Sequence, residues 1–293
     1  MQNWIKKGLW ILMVGASFAA LSDFCQKQTK GFSISKIAPS FSFENTQEID
    51  ADVLSVLDQP FHYLRKGNSA YVFVSDDDKY VLKFLRRPNL FPPFWTKFKL
   101  ARLLLPSYCN GIITERERKK ELLLTSYQLA AEKLKNQVGI FYSHMNSTSL
   151  LKKNITFYDR IKIKHTIPAD TVAFVLQKKA QPFCPYFKQL VEEHKKEAAR
   201  TLLEEFALLL KERASKGIYD NDISPHYNLG IFEDHFMAFD LDGLKPCSIP
   251  EAPEDFENHM LKDGRKMIHW LKSVDPDLSI FLQQEILKLS LLS

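Results

Sequence analysis

An α+β fold, rich in strands first and mainly helical afterwards, follows from three stretches of this sequence. Phe61 to Phe84 reads FHYL, a turn at RKGNS, AYVFVS, a turn at DDDK, and YVLKF: three consecutive short antiparallel strands. Tyr186 to Lys216 is charged and then leucine-rich, with Leu202, Leu203, Phe206, Leu209 and Leu210 forming one helical stripe. Gly217 to Gly243, GIYDNDISPHYNLGIFEDHFMAFDLDG, follows that helix and precedes two further amphipathic helices. Strands gathered ahead of helices predict segregated layers. A length of 293 residues with 45% hydrophobic content suffices for one bilobal domain or two small ones.

Composition excludes some classes. The net charge is +5, and the basic residues fall in scattered pairs such as Lys6-Lys7, Arg86-Arg87 and Lys178-Lys179. A nucleic-acid binder concentrates its charge on one face, so no nucleic-acid partner is expected. Cys25, Cys109, Cys184 and Cys247 lie far apart, without the spacing of a zinc site or a disulfide scaffold.

The chain begins with Lys6-Lys7 ahead of an uncharged, largely apolar run, Gly8 to Ser22. A basic start, a short apolar run and small residues at its end fit an export signal. Fifteen residues are short for a span, which takes about 20. Residues 1–22 are therefore expected to be a signal peptide or membrane anchor, and the protein exported or membrane-associated through residues 8–22. Residues 23–47 show no clear period and read as a linker ahead of a domain over 48–293.

Glu48 to Leu57 has acidic residues in its first turn and helical apolar spacing. Residues 85–113 are irregular and rich in proline and aromatics. Phe91, Phe94, Trp95 and Phe98 there offer partner or membrane contacts, although such rings as a rule pack back onto their own domain. Thr114 to Gln137 is a helix on the spacing of Leu122, Tyr127, Leu129, Ala130 and Leu134. Val138 to His144, Ile155 to Tyr158 and Thr171 to Lys178 read as further strands. Lys216-Gly217 is a helix stop with glycine just past the end. Glu254 to Lys272 is the first of the two closing helices.

The stretch Gly217 to Gly243 carries two acid-x-acid pairs, Asp220-Asn221-Asp222 and Asp240-Leu241-Asp242. Asn228 and an apolar hairpin, Leu229 to Phe239 turning at Glu233-Asp234-His235, lie between them. Carboxylates and an Asn around a hairpin make a poor core and a good site for Mg²⁺, which takes hard oxygen ligands. An Asp at a helix-to-loop junction, an Asn soon after and an Asp beyond an apolar strand form an order that resembles the protein-kinase-like superfamily, with its H-R-D…N loop and D-F-G strand. Two departures are plain: Asp220 stands in place of the His, and the loop from Asp222 to Asn228 is one residue longer. Ala252-Pro253-Glu254 spells the family's A-P-E but falls too soon after Asp240, and a helix start accounts for it.

The resemblance extends back to Phe61. It implies a bilobal kinase-like fold, an antiparallel β N-lobe over 48–180 and a shortened helical C-lobe over 181–293. The glycine-rich loop would run from Leu64 to Val72 with Gly67 as its middle glycine and Val72 over the adenine, while Arg65 and Ala70 replace the other glycines. Lys83, flanked by apolar residues on a strand, would hold the α/β-phosphates of ATP and pair with a helix carboxylate. Glu121 is the choice for that partner, with Glu117 and Glu115 one or two turns away. The hinge would lie at about Gln177 to Gln181. Asn228 and Asp240 would bind Mg²⁺, and Asp222 would orient an acceptor hydroxyl and take its proton. The function implied is transfer of the ATP γ-phosphate to an unknown protein or small-molecule hydroxyl. The alternatives are an inactive pseudokinase acting as a binding module, which the missing glycines favour, and a metal-dependent glycosyltransferase using Asp240-Leu241-Asp242 as its D-x-D.

Overall fold

The computed structural model describes residues 2–41, 49–220 and 222–292. The expected linker residues 42–47, the expected helix start at Glu48, and Asn221 of the first acid pair lie outside them. The first elements are α1 (Gln2–Thr29), α2 (Ala51–Asp58), β1 (Phe61–Lys66), β2 (Ala70–Ser75), β3 (Tyr80–Leu85), α3 (Arg87–Leu90) and α4 (Lys99–Leu104). Then come α5 (Pro106–Lys133), α6 (Lys135–Val138), β4 (Ile140–His144), β5 (Asn154–Tyr158), β6 (Lys164–Pro168), β7 (Phe174–Lys178) and β8 (Gln181–Pro182). The chain closes with α7 (Phe183–Glu192), α8 (Lys196–Ser215), β9 (Ile218–Asp220), β10 (Leu229–Phe232), β11 (His235–Ala238), β12 (Leu244–Pro246), α9 (Pro253–Val274) and α10 (Pro276–Ser290). The fold class is α+β, as expected.

The chain divides into two compact units. One comprises Met1–Pro88 and His144–Phe174, the other Asn89–Ser143 and Val175–Ser293. In the first, β1, β2 and β3 form the antiparallel meander expected between Phe61 and Phe84, and the hairpin β5–β6 joins it with β5 parallel to β1. Its two faces differ. Cross-strand partners share a face, so Tyr71 with Phe84 and Phe73 with Leu82 line one side, while Val72 with Lys83 and Val74 with Val81 line the other.

The aromatic side needs cover, and the supposed linker provides it. α1 runs on to Thr29, and Phe32, Ile37, Ala38 and Phe41 beyond it are buried. The Phe32 ring lies 5.0 Å from Tyr71, 5.6 Å from Phe73 and 5.9 Å from Phe157. Ala38 donates its N–H to the Leu85 carbonyl (2.8 Å) and accepts from Ala173 (3.1 Å). Four apolar residues dispersed among polar ones show no period, yet Phe32 lies on the aromatic face while Ile37 and Phe41 form backbone bridges to Arg86 and Asn146. Trp10, Met13, Val14, Phe18, Leu21 and Phe24 of α1 are exposed. Among the described residues no helix is long and apolar enough to cross a membrane.

The second unit is mainly helical. Leu202, Leu203, Phe206, Leu209 and Leu210 of α8 are buried as the stripe predicted, against Met260, Met267 and Leu271 of α9 and Leu282 and Ile286 of α10. The hairpin β10–β11 pairs Phe232 with His235, and Glu233 and Asp234 both have positive φ (50° and 63°), as a tight two-residue turn demands. The long helix α5 begins at Pro106, eight residues earlier than the expected Thr114. Proline suits a first turn, and buried Cys109 bonds the α4 carbonyl of Ala101 through its thiol (3.6 Å). The buried face of α5 is Leu123, Ser126, Tyr127 and Ala130.

Residues 89–143 belong with the helical unit because α5 is bonded into it. The Ser126 hydroxyl donates to the Leu241 carbonyl and accepts from the Leu244 N–H (3.1 Å), and Lys133 and Lys216 exchange bonds to each other's carbonyls.

Candidate functional site

In the first unit, β2 and β3 set Val72 directly opposite Lys83, both buried, on the less aromatic side of the sheet. The expected phosphate loop is shorter than the resemblance implies. Residues 64–66 and 70–72 belong to β1 and β2, with Leu64 at a bulge in their pairing, leaving Gly67, Asn68 and Ser69 as the turn. Gly67 donates to the Ala70 carbonyl (2.8 Å), and Arg86 reaches from the end of β3 to the carbonyls of Gly67 (3.0 Å) and Asn68 (2.6 Å). Arg65 and Ala70, where glycines were missing, occupy ladder positions.

In the second unit, α8 ends at Ser215 and the chain reverses through Gly217, whose φ of +63° and close approach to the Cys247 carbonyl leave no room for a side chain. The next residues form β9, which pairs with β12 so that Asp220 faces Leu244. Asp220 is buried and accepts from the wholly buried Arg213 guanidinium (Nη1 to Oδ2, 2.8 Å). Its other oxygen accepts the Asp222 N–H (3.0 Å), and its own N–H donates to Asp263 Oδ2 (3.2 Å). Asp220 is thus an internal brace for the loop that presents Asp222. Gly243 abuts it: a Cβ there would overlap Asp220 Oδ1.

Asp222 turns outward, its side chain 63% exposed, with Lys266 Nζ of α9 at 2.5 Å from Oδ1. Its carbonyl accepts the side-chain amide of buried Asn228, whose own carbonyl takes the N–H groups of Phe239 (3.0 Å) and Asp240 (3.4 Å). Asp240 Oδ1 in turn accepts from the Asp242 N–H (3.3 Å). Hydrogen bonds therefore gather three of the expected residues, Asp222, Asn228 and Asp240, into one chain of contacts. Glu121 lies elsewhere on this unit: it is exposed, on the side of α5 opposite Leu123, Ser126 and Ala130. Gln177 is buried, its amide donating to the carbonyls of Val138 (2.8 Å) and Phe239 (3.4 Å).

Two features of this site escaped the sequence reading. The first is the buried acid pair braced by Arg213. Burial pushes the Asp263 carboxyl up to about 7, against the hydrogen bond it accepts from the Asp220 N–H and the nearby Arg213 guanidinium, which both pull it down. A carboxyl raised in the folded state favours folding fully below its unfolded value of 3.8, and that contribution fades as pH rises through 7. Between pH 5.5 and 8.5 the loss from this group is about 2 kcal/mol. Asp263→Asn is expected to remove that slope, seen as a stability difference from the parent that grows with pH in urea melts. The second is a cavity of about 800 Å³ beside Asp222, lined by Ser224, His226, Arg265, Lys266, His269 and Lys272 among others. Its α9 members recur at helical spacing and read in sequence as an ordinary solvated face.

No family model matches this sequence, and no curated protein matches it. Solved structures similar to it include WbdD at 2.2 Å (TM-score 0.36, 11% identity, 78% of this chain and 45% of that one). A second WbdD structure, described as a bifunctional kinase-methyltransferase, gives a TM-score of 0.33 at 12% identity over 76% of this chain and 42% of that one. Rv3197 of Mycobacterium tuberculosis in complex with erythromycin gives 0.35 at 12% identity, over 78% and 55%. The chain spans about half the length of these proteins.

Proposed function

We propose that this chain is a divergent kinase-like phosphotransferase that binds ATP with Mg²⁺ and passes the γ-phosphoryl group to a hydroxyl acceptor. The observation that carries this reading is the hydrogen-bonded run from Asp222 through Asn228 to Asp240, with Asp222 alone turned outward. Val72 and Lys83, opposite each other on β2 and β3, lend support from the other unit. Asn228 and Asp240 suit Mg²⁺ by donor chemistry. The Asn228 amide nitrogen is spent on the Asp222 carbonyl, so its oxygen faces elsewhere, and Asp240 keeps a carboxylate oxygen beyond the one that Asp242 uses. Among the described residues no group of three or more His, Cys, Asp or Glu could hold a metal, so substrate phosphates would have to supply the rest of the ion's ligands. When bound, the metal would neutralise charge on those phosphates.

Asp222 would accept the acceptor's hydroxyl proton as the oxygen–phosphorus bond forms and the bond from Pγ to ADP breaks. Lys266, on Asp222 Oδ1, leaves Oδ2 for that proton. The three-residue turn at Gly67 favours a second reading, a nucleotide-free binding module, because so short a turn has few N–H groups to offer an anion. The glycosyltransferase reading needs alternating strands and helices ahead of its D-x-D, whereas an antiparallel meander precedes Asp240 here. Thermal shift of the intact chain with ATP and Mg²⁺ separates the first two. Metal-dependent stabilisation that disappears in Asp240→Ala is expected, about 3 kcal/mol at a hundredfold excess over Kd. A folded chain that no nucleotide stabilises would establish the binding module instead.

A further inference from the structure

Residues 94–108 present the second unit's most concentrated exposed apolar surface. Phe94 (70% exposed), Phe98, Leu100, Leu103 (77%), Leu104, Leu105 and Tyr108 all face solvent. Leu100, Leu103 and Leu104 stand at helical spacing on one side of α4. This is not a frayed loop. Phe94 and Phe98 pack edge to face at 4.7 Å, Trp95 stacks on Tyr108 at 6.1 Å, and the Thr96 hydroxyl caps the Pro93 carbonyl at 2.7 Å. The Cys109 thiol and the Leu105 N–H (2.9 Å) both bond Ala101, while Arg116 of α5 holds the Asn89 carbonyl (3.2 Å). A hydrogen-bonded scaffold thus holds large apolar side chains outward, where water penalises them.

Charge identifies what would cover them. Lys97, Lys99 and Arg102 are exposed among these residues, and no Asp or Glu occurs between Asp78 and Glu115. Apolar and aromatic side chains with interleaved cations, free of acids, match the boundary between acyl chains and anionic headgroups. There the rings and leucines enter the hydrocarbon edge, and the Lys and Arg heads reach back to phosphates. We propose that residues 94–108 dock this unit onto the surface of an anionic phospholipid membrane. The surface is separate from α1, which belongs to the other unit, and it does not depend on the phosphotransferase reading.

Flotation of the intact chain with phosphatidylcholine vesicles, with and without about a third phosphatidylserine, tests this. Binding is expected to favour the anionic vesicles and to weaken as salt screens the cations. Lys97→Gln, Lys99→Gln and Arg102→Gln together should weaken it about a hundredfold, at about fivefold for each cation near the surface. Leu103→Ser with Leu104→Ser should weaken it by about tenfold or more; both side chains are exposed, so unchanged circular dichroism and melting are expected. If both variants float like the parent, α1 or another surface carries any binding and the proposal fails. It fails equally if sedimentation shows a self-association that Leu103→Ser with Leu104→Ser abolishes, because a second copy would then be the occupant.

Discussion

Arg213→Met should cost about 3–5 kcal/mol of folding stability, the range for breaking a buried ion pair by removing one partner. The guanidinium is fully buried and is ion-paired with Asp220, which is itself 6% exposed and lies against Asp263. Methionine fills much of the volume, so the penalty comes from charge: two carboxyls would share a pocket without a cation. Protonation offers relief. The loss should therefore be smaller at pH 5 than at pH 8, because the Asp263 carboxyl, already raised by burial, loses in Arg213 one of the charges that hold its pKa down. Urea unfolding at the two pH values measures this. Adding Asp220→Asn to Arg213→Met should return part of the loss, since the two residues act as a unit. A uniform cost across pH, unrelieved by the second change, would mean that Arg213 matters for packing alone.

The same cluster marks where sequence reading stopped. Arg213 extends the buried stripe of α8, following Leu202, Phe206 and Leu209 at steps of four, three and four residues. That placement was a usable signal: an arginine on a buried stripe demands a buried anion. Its partner Asp220 was read only as a departure from the motif, standing where the His would be, and was given no anionic role. In the structure Asp220 is an internal brace and Asp222 faces outward, a distinction set by Arg213 and by Asp263. Asp263 lies 43 residues downstream, on a helix whose polarity pattern shows nothing unusual. The β1–β3 meander and the β10–β11 hairpin were legible because turn residues and period-two runs are local properties. The burial of Phe32, Ile37, Ala38 and Phe41 was not, since only the finished fold supplies the aromatic face that Phe32 meets and the backbone partners that the other three bond. The early start of α5 was hidden for a related reason: Gly111 and its β-branched neighbours have low helix propensity, which the bonded context overrides.

Asp222→Asn is expected to lower phosphoryl transfer by about 10²–10⁴ while leaving nucleotide affinity nearly unchanged, the span typical of losing a general base. The separation follows from the geometry. Asp222 meets Asn228 through its backbone carbonyl, which asparagine retains, so the amide that fixes the proposed metal ligand keeps its partner. Asp222's side chain is mostly exposed and paired with the half-exposed Lys266, so the change should cost less than about 1 kcal/mol of stability. Slow hydrolysis of ATP to ADP gives a readout that needs no knowledge of the acceptor, and thermal shift with ATP and Mg²⁺ reports binding on the same samples. Asp240→Ala should lose both signals, Asp222→Asn only the first. That contrast tests the division of labour directly: if Asp222→Asn abolished nucleotide binding too, Asp222 would belong with the metal ligands and the base would have to be sought elsewhere. If hydrolysis by the parent and by Asp222→Asn were equal, the outward carboxylate would serve to hold Lys266 at the basic cavity, and proton transfer would not be its task.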